Sequence, residues 1–170
     1  ALVALDAPLG WPELLGQSLS GHQAGSPLPE LPNTLFRRET DRFIKEQIGK
    51  QPLDVGADRI ARTAHSALSL LANISKAIGD PVPLAWRADF SHVAAIEVYP
   101  AATLRAYGLP ETTYKKTSDR LARQTIVDGL YVLADFTLPE SIEQALDNAD
   151  ALDALICALA GRDFLNGTVY

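Results

Sequence analysis

The sequence predicts an α/β fold with parallel strand pairing, and three observations lead there. Two short runs, Leu2–Leu5 and Val93–Tyr99, are apolar almost throughout, as strands covered on both faces are. Most of the chain between and after them repeats apolar residues at helical spacing. The resulting order is strand, helices, strand, helices. The stretch joining the two strands far exceeds the ~12 residues that a parallel crossover requires.

Each element has its own signal. Leu2–Leu5 is ended by Asp6-Ala7-Pro8-Leu9-Gly10-Trp11-Pro12, turn chemistry that releases the chain from a strand. Residues Gly16 to Asn33 are rich in Gly, Ser and Pro and read as an exposed loop. A helix is expected from about Thr34 to Ile48, with Phe36, Phe43, Ile44 and Ile48 on one side and Gly49 as its stop. A longer helix follows over Ala57–Ile78, closed by Gly79. Ile60, Ala64, Ala67, Leu68, Leu71 and Ile78 form its inward stripe.

Pro81 and Pro83 introduce an irregular link to the second strand, which Pro100 stops. Short helices are expected at Ala101–Tyr107, before Gly108, and at Pro139–Ala145. Thr117–Ala134 fits a helix with Leu121, Ala122, Ile126, Leu130 and Leu133 inward. The last helix is expected from about Ala149 to Leu159, with Gly161 just after it.

The bulk composition narrows the function. With 170 residues, 47% of them hydrophobic, the chain has material for one good core. No window is long and apolar enough to span a membrane, and the start lacks a basic flank. The single cysteine, Cys157, excludes an internal disulfide and a cysteine-cluster zinc site. Its Ala/Leu-rich helix makes it a buried, inert thiol, and the expected compartment is the cytoplasm. His22, His65 and His92 share no zinc-like spacing. A net charge of −6 argues against a broad basic nucleic-acid surface. It leaves room for a carboxylate site that binds cations.

Four acidic residues define the candidate site. Asp6 and Glu97 end or follow the two apolar runs, and an open parallel sheet presents ligand groups at that carboxyl edge. Asp150 and Asp153 occupy the opening turns of the last helix, three apart and so neighbours on its surface. Asp153 borders the stripe of Leu152, Leu155, Ile156 and Leu159, whereas Asp150 points outward. Oxygen donors converging from two strand ends and a helix suit Mg²⁺ or Mn²⁺. Each acid also has a plain alternative: turn chemistry for Asp6, an ion pair for Glu97, the helix N-terminus for Asp150 and Asp153. Basic groups form a second set: Arg37, Arg38, Arg42, Arg59 and Tyr114-Lys115-Lys116.

Five segments in order resemble a known family. They are Leu5-Asp6-Ala7-Pro8-Leu9-Gly10, Arg38-Glu39-Thr40-Asp41, Glu97-Val98-Tyr99-Pro100-Ala101, Tyr114-Lys115 and Asp150-Ala151-Leu152-Asp153-Ala154-Leu155. Together they resemble the bacterial and archaeal domain-of-unknown-function family 429, described as predicted nucleases of the ribonuclease H-like fold. The likeness spans Leu2 to about Gly161. It implies a single ribonuclease H-like domain over 1–170, a mixed sheet flanked by helices, with a helical insertion at about 34–92. Leu2–Leu5 would be the fourth strand and Val93–Tyr99 the fifth, and the final helix would carry the last catalytic Asp.

The family's first three strands, the first of which brings another metal-binding Asp, have no counterpart here. With no methionine and a start inside a strand, the sequence is expected to be incomplete.

The function this resemblance implies is a metal-dependent nuclease or other phosphodiesterase, acting on nucleic acid or another phosphodiester. Asp6 and Asp153, with Asp150, would hold Mg²⁺ or Mn²⁺. Glu97 and Asp150 would help to position metal, water or ligand, and Lys115 or Arg38 would neutralise the scissile phosphate. Two other readings stand beside it: a non-catalytic regulatory or scaffolding domain of the same fold, and a nucleotide-dependent phosphotransferase.

Overall fold

In the computed structural model, residues 1–57, 59–134 and 142–168 are described, with the side chains of Leu133 and Ala134 excepted. The elements run β1 (Leu2–Leu5), α1 (Glu13–Leu19), α2 (Pro32–Phe36), α3 (Glu39–Ile48), α4 (Ile60–Ile78), β2 (Ala94–Glu97), α5 (Pro100–Ala106), α6 (Arg120–Ala134), α7 (Glu143–Asp147) and α8 (Ala149–Leu165). The protein is a mixed α/β chain, mostly helical, with a small two-stranded parallel sheet.

The two expected strands do pair, in parallel, with Leu2 opposite Ala94 and Leu5 opposite Glu97. On its other side β2 meets the chain again through a parallel bridge between Leu84 and Ala95. The link after Pro81 is therefore not wholly irregular. Ala85 N–H donates to the Ala95 carbonyl and Ala95 N–H to that of Pro83, at 2.8 and 2.9 Å. This flanking explains why Ala94, Ala95 and Ile96 are buried while β1 is half-buried along its length. Full cover was expected for both strands. β2 has it from Ala94 to Ile96, and β1 does not.

The chain divides into two compact units, one formed by Ala1–Asp6 with Ile74–Tyr170 and the other by Ala7–Asn73. The expected helical insertion at about 34–92 overlaps the second unit, and α4 runs from the second into the first. Within the second unit, the single helix expected over Thr34–Ile48 is two, separated at Arg37-Arg38. The reason lies in Asp41, which reaches back to accept from the Arg38 backbone N–H at 2.9 Å and so starts a new helix there. Phe43, expected inward, is exposed, and Asp41 is the buried residue of α3. Gly49 ends α3 in the left-handed conformation, as expected. Helix α1 lies partly inside the segment read as loop; Gly16 and the Ser/Gln content hid a seven-residue helix.

In the first unit, α8 is the organising element. Leu152, Ile156 and Leu159 are fully buried against Leu104, Tyr114, Ile126, Val127, Leu130, Ala145 and Leu146. Burial of that size stabilises by about 1.5–3 kcal/mol per large aliphatic side chain. A second face of α8 brings Cys157, with Ala160 and Phe164, onto Leu2, Ala4, Ile96 and Val98 of the strands. Gly161 does not stop this helix, which continues to Leu165. It faces β1 instead: a Cβ there would stand in ordinary contact, 3.5 Å from the Ala4 Cβ and 3.6 Å from the Leu2 Cδ2.

Helix α6 also departs from its expected face. Leu121 is exposed, and the inward stripe runs Arg123, Ile126, Val127, Leu130. That spacing (i, i+3, i+4, i+7) is regular for a helix, but an arginine holds one of its positions. The expected helix at Pro139–Ala145 begins outside the described residues; α7 starts at Glu143. Among the described residues, no helix is long and apolar enough to cross a membrane.

Candidate functional site

Strand alternation places Asp6. Leu2 and Ala4 face α8, so the residue two further on continues the same row just beyond the strand end. On α8, Asp153 stands one turn before Cys157, on the side that meets the strands. The two aspartates are thus delivered toward each other by the packing of α8 on β1.

The electrostatics record this convergence. The Asp6 carboxyl is raised to about 6, first by desolvation and then by the charge of Asp153, with smaller contributions from Asp150 and Glu97. Lys115 opposes the rise. Asp6 is itself exposed at the end of β1, next to the buried Ala7. Burial, with help from the Asp6 and Asp153 charges, pushes the Cys157 thiol up to about 12. It is a protonated, packed thiol, as the sequence suggested, and not a nucleophile.

Asp153 is 4% exposed, and both its carboxylate oxygens are engaged. The Tyr114 hydroxyl donates to Oδ1 at 2.9 Å, and the Lys115 ammonium contacts Oδ2. Burial, followed by the Asp153 charge, raises the Tyr114 hydroxyl far above its ordinary value, which keeps it a donor. The Lys115 ammonium also lies 4.9 Å from the centre of the Tyr114 ring. These side chains are presented by a segment whose Thr113 has a left-handed backbone, φ 59°, uncommon for a β-branched residue.

Arg123 holds that segment in place, and sequence reasoning missed it. Its guanidinium, 1% exposed, donates to the carbonyls of Leu146 (2.6 Å), Tyr114 (2.6 Å), Lys116 (2.7 Å) and Thr117 (3.2 Å). Burying the charge costs several kcal/mol, and the charge-assisted bonds, worth about 1.5–3 kcal/mol each, offset it. The available signal was an arginine at i−3 and i−7 from Ile126 and Leu130, in register with the apolar stripe.

The remaining candidates lie differently. Asp150 is exposed, and its backbone N–H is capped by the Asn148 side chain at 2.8 Å. Glu97 is the exposed last residue of β2, the strand-end place expected for it. It pairs with Leu5, one place out of phase with the row that carries Asp6, so strand alternation directs it to the other face. Arg38 belongs to the other unit, where its guanidinium grips Asp41 through Nε at 3.1 Å and Nη2 at 2.7 Å. Among the described residues, no three His, Cys, Asp or Glu side chains form a group that could hold a metal ion.

One family model, that of a protein of unknown function (DUF429), matches residues 1–170. The chain belongs to the DUF429 family. No curated protein and no solved structure matches it. In this DUF429 chain, Asp6, Tyr114-Lys115 and Asp153 come together at one site, built by α8, β1 and the turn that Arg123 secures.

Proposed function

We propose that this protein is a divalent-cation-dependent phosphodiesterase, a nuclease of the ribonuclease H-like class, whose site is built on Asp6 and Asp153. The observation that carries this reading is the packing of α8 on β1, which brings Asp153 toward Asp6 at the carboxyl end of the strand. Two carboxylates are a sufficient protein share for Mg²⁺, which usually keeps several waters and takes only one or two carboxylates. Asp6 and Asp153 would hold the cation, and Asp150 and Glu97 add negative potential around it.

When bound, such a cation supplies Lewis-acid activation of water and charge stabilisation at phosphorus. The chain's own residues do the rest. Tyr114 orients Asp153 by donating to Oδ1, Lys115 supplies positive charge toward a phosphate oxygen, and Arg123 fixes the backbone that carries both. Arg38, committed to Asp41 in the other unit, is the weaker candidate for phosphate contact.

A second reading, a non-catalytic domain of the same fold, draws on the engagement of both Asp153 oxygens by Tyr114 and Lys115. The two readings separate on the intact protein assayed against single-stranded and duplex DNA and RNA with Mg²⁺ or Mn²⁺. The enzyme reading expects cleavage that needs the divalent ion and collapses in Asp153→Asn. Wild-type protein inert across all these substrates would favour the non-catalytic domain.

A further inference from the structure

Lys115 is the one residue of the site whose place conflicts with its expected task. As a phosphate ligand it should be unencumbered, yet its ammonium sits on Asp153 Oδ2, an oxygen that a cation would need. The geometry points to Lys115 as a tethered counter-ion that competes with a divalent cation for Asp153 Oδ2 and is released toward solvent and phosphate when the cation binds. This inference rests on the cation site proposed above and concerns its regulation.

Three features of the structure fit Lys115 for this exchange. The Asp153 side chain is 5% exposed, so its charge must be balanced from within reach. The Lys115 side chain is 56% exposed, so the ammonium can leave by rotating its own stem into water. The backbone on either side of it does not need to move. Arg123 binds the carbonyls of Tyr114, Lys116 and Thr117, and the Tyr114 hydroxyl stays on Oδ1. The exchange therefore frees one oxygen and keeps Asp153 oriented.

Its magnitude follows from exposure. Solvent at the Lys115 end screens the pair, and its loss changes a binding constant roughly fivefold. A divalent cation shared with Asp6 outcompetes an ammonium held that weakly, whereas a fully buried lysine would block it. Freed from Asp153, Lys115 gains a mobile charge beside the cation, where a phosphate oxygen would be bound.

The test is calorimetric titration of the intact protein with Mn²⁺, comparing wild type with Lys115→Met, Lys116→Met and Asp6→Asn. Lys115→Met keeps an apolar stem over the Tyr114 ring and removes the competitor, so Mn²⁺ binding tightens about fivefold. Lys116→Met removes the same charge one residue away and controls for the general field; it leaves the affinity close to that of wild type. Asp6→Asn removes the second carboxylate and weakens binding in either background.

A second measurement does not depend on any variant folding. Acylation of the wild-type protein by an amine-directed reagent, read by mass spectrometry, shows Lys115 becoming more reactive at saturating Mn²⁺. Unchanged or weaker Mn²⁺ binding in Lys115→Met, an equal gain in Lys116→Met, or Lys115 reactivity indifferent to Mn²⁺ each overturns the exchange. Competition with Mn²⁺ but no phosphodiester cleavage would remove the nuclease reading and leave the exchange standing. If Mn²⁺ binds neither wild type nor Lys115→Met, both proposals fail.

Discussion

Asp6 shows how one residue couples site chemistry to stability. Its folded carboxyl is raised from 3.8 to about 6, so it holds its proton more tightly folded than unfolded. The stabilising contribution is complete below about pH 4 and is lost as pH rises through about 6. Above that, the charged Asp6 opposes folding beside Asp153. Asp6→Asn, studied with chelator present, should therefore raise the thermal midpoint at pH 8, and the gain should vanish toward pH 4. A gain that is the same at both pH values would show that the Asp6 carboxyl is not raised in the folded state. The partner residue carries a complementary expectation. Tyr114→Phe leaves Asp153 Oδ1 without its buried donor and should cost about 1.5–3 kcal/mol in urea denaturation, the range for a hydrogen bond to a charged group.

At the scale of elements, Arg123 ties α6 to the Tyr114–Thr117 turn and to the end of α7 through four carbonyls. Arg123→Met fills similar space but leaves those oxygens without their donor. Denaturant unfolding should show a loss of about 3–5 kcal/mol, the scale for breaking a buried charged network. Arg123→Lys should recover only part, because an ammonium cannot reach acceptors spread around a planar fork. An Arg123→Met protein of wild-type stability would mean that the turn is held by other contacts. The packing of α8 on β1 gives a related expectation. Gly161→Leu would push the helix from Ala4 and Leu2 and so separate Asp153 from Asp6. Protein that still folds should then show a normal carboxylate pKa at Asp6, measurable by carbon-13 NMR.

For the whole molecule, charge is unevenly shared. The unit formed by Ala1–Asp6 and Ile74–Tyr170 contains eight Lys and Arg against fourteen Asp and Glu, whereas Ala7–Asn73 contains seven of each. The net charge of −6 thus belongs entirely to the unit that carries the candidate site. A polyanionic substrate would be repelled there unless cations compensate. Retention of single-stranded nucleic acid by the intact protein should therefore depend on Mg²⁺ or Mn²⁺ and be lost on chelation. Binding that persists in chelator would place the nucleic-acid contact elsewhere. Saturating Mn²⁺ should also raise the thermal midpoint of wild type and much less that of Asp6→Asn, because ligands stabilise the state that binds them.

What the sequence by itself determined was the set of elements whose signals are local. Apolar runs made both strands and their parallel pairing legible; glycine and proline marked the ends of α3, α4 and β2; and helical spacing put Asp153 inward and Asp150 outward. Only the tertiary structure decided the rest, for a physical reason in each case. The face of α6 depended on carbonyls from two other segments, without which a buried Arg123 makes no sense and Leu121 looks like the better core residue. Gly161 read as a stop because a strand 157 residues earlier supplies the contact that makes a small residue useful inside the helix. Glu97 and Asp6 looked equivalent as acids at strand ends, but register put them in opposite phase, and register is a property of two chains of hydrogen bonds, not of either strand alone. Lys115 looked like a free cation for the same reason: the carboxylate that holds it lies 38 residues away, and only folding brings it near.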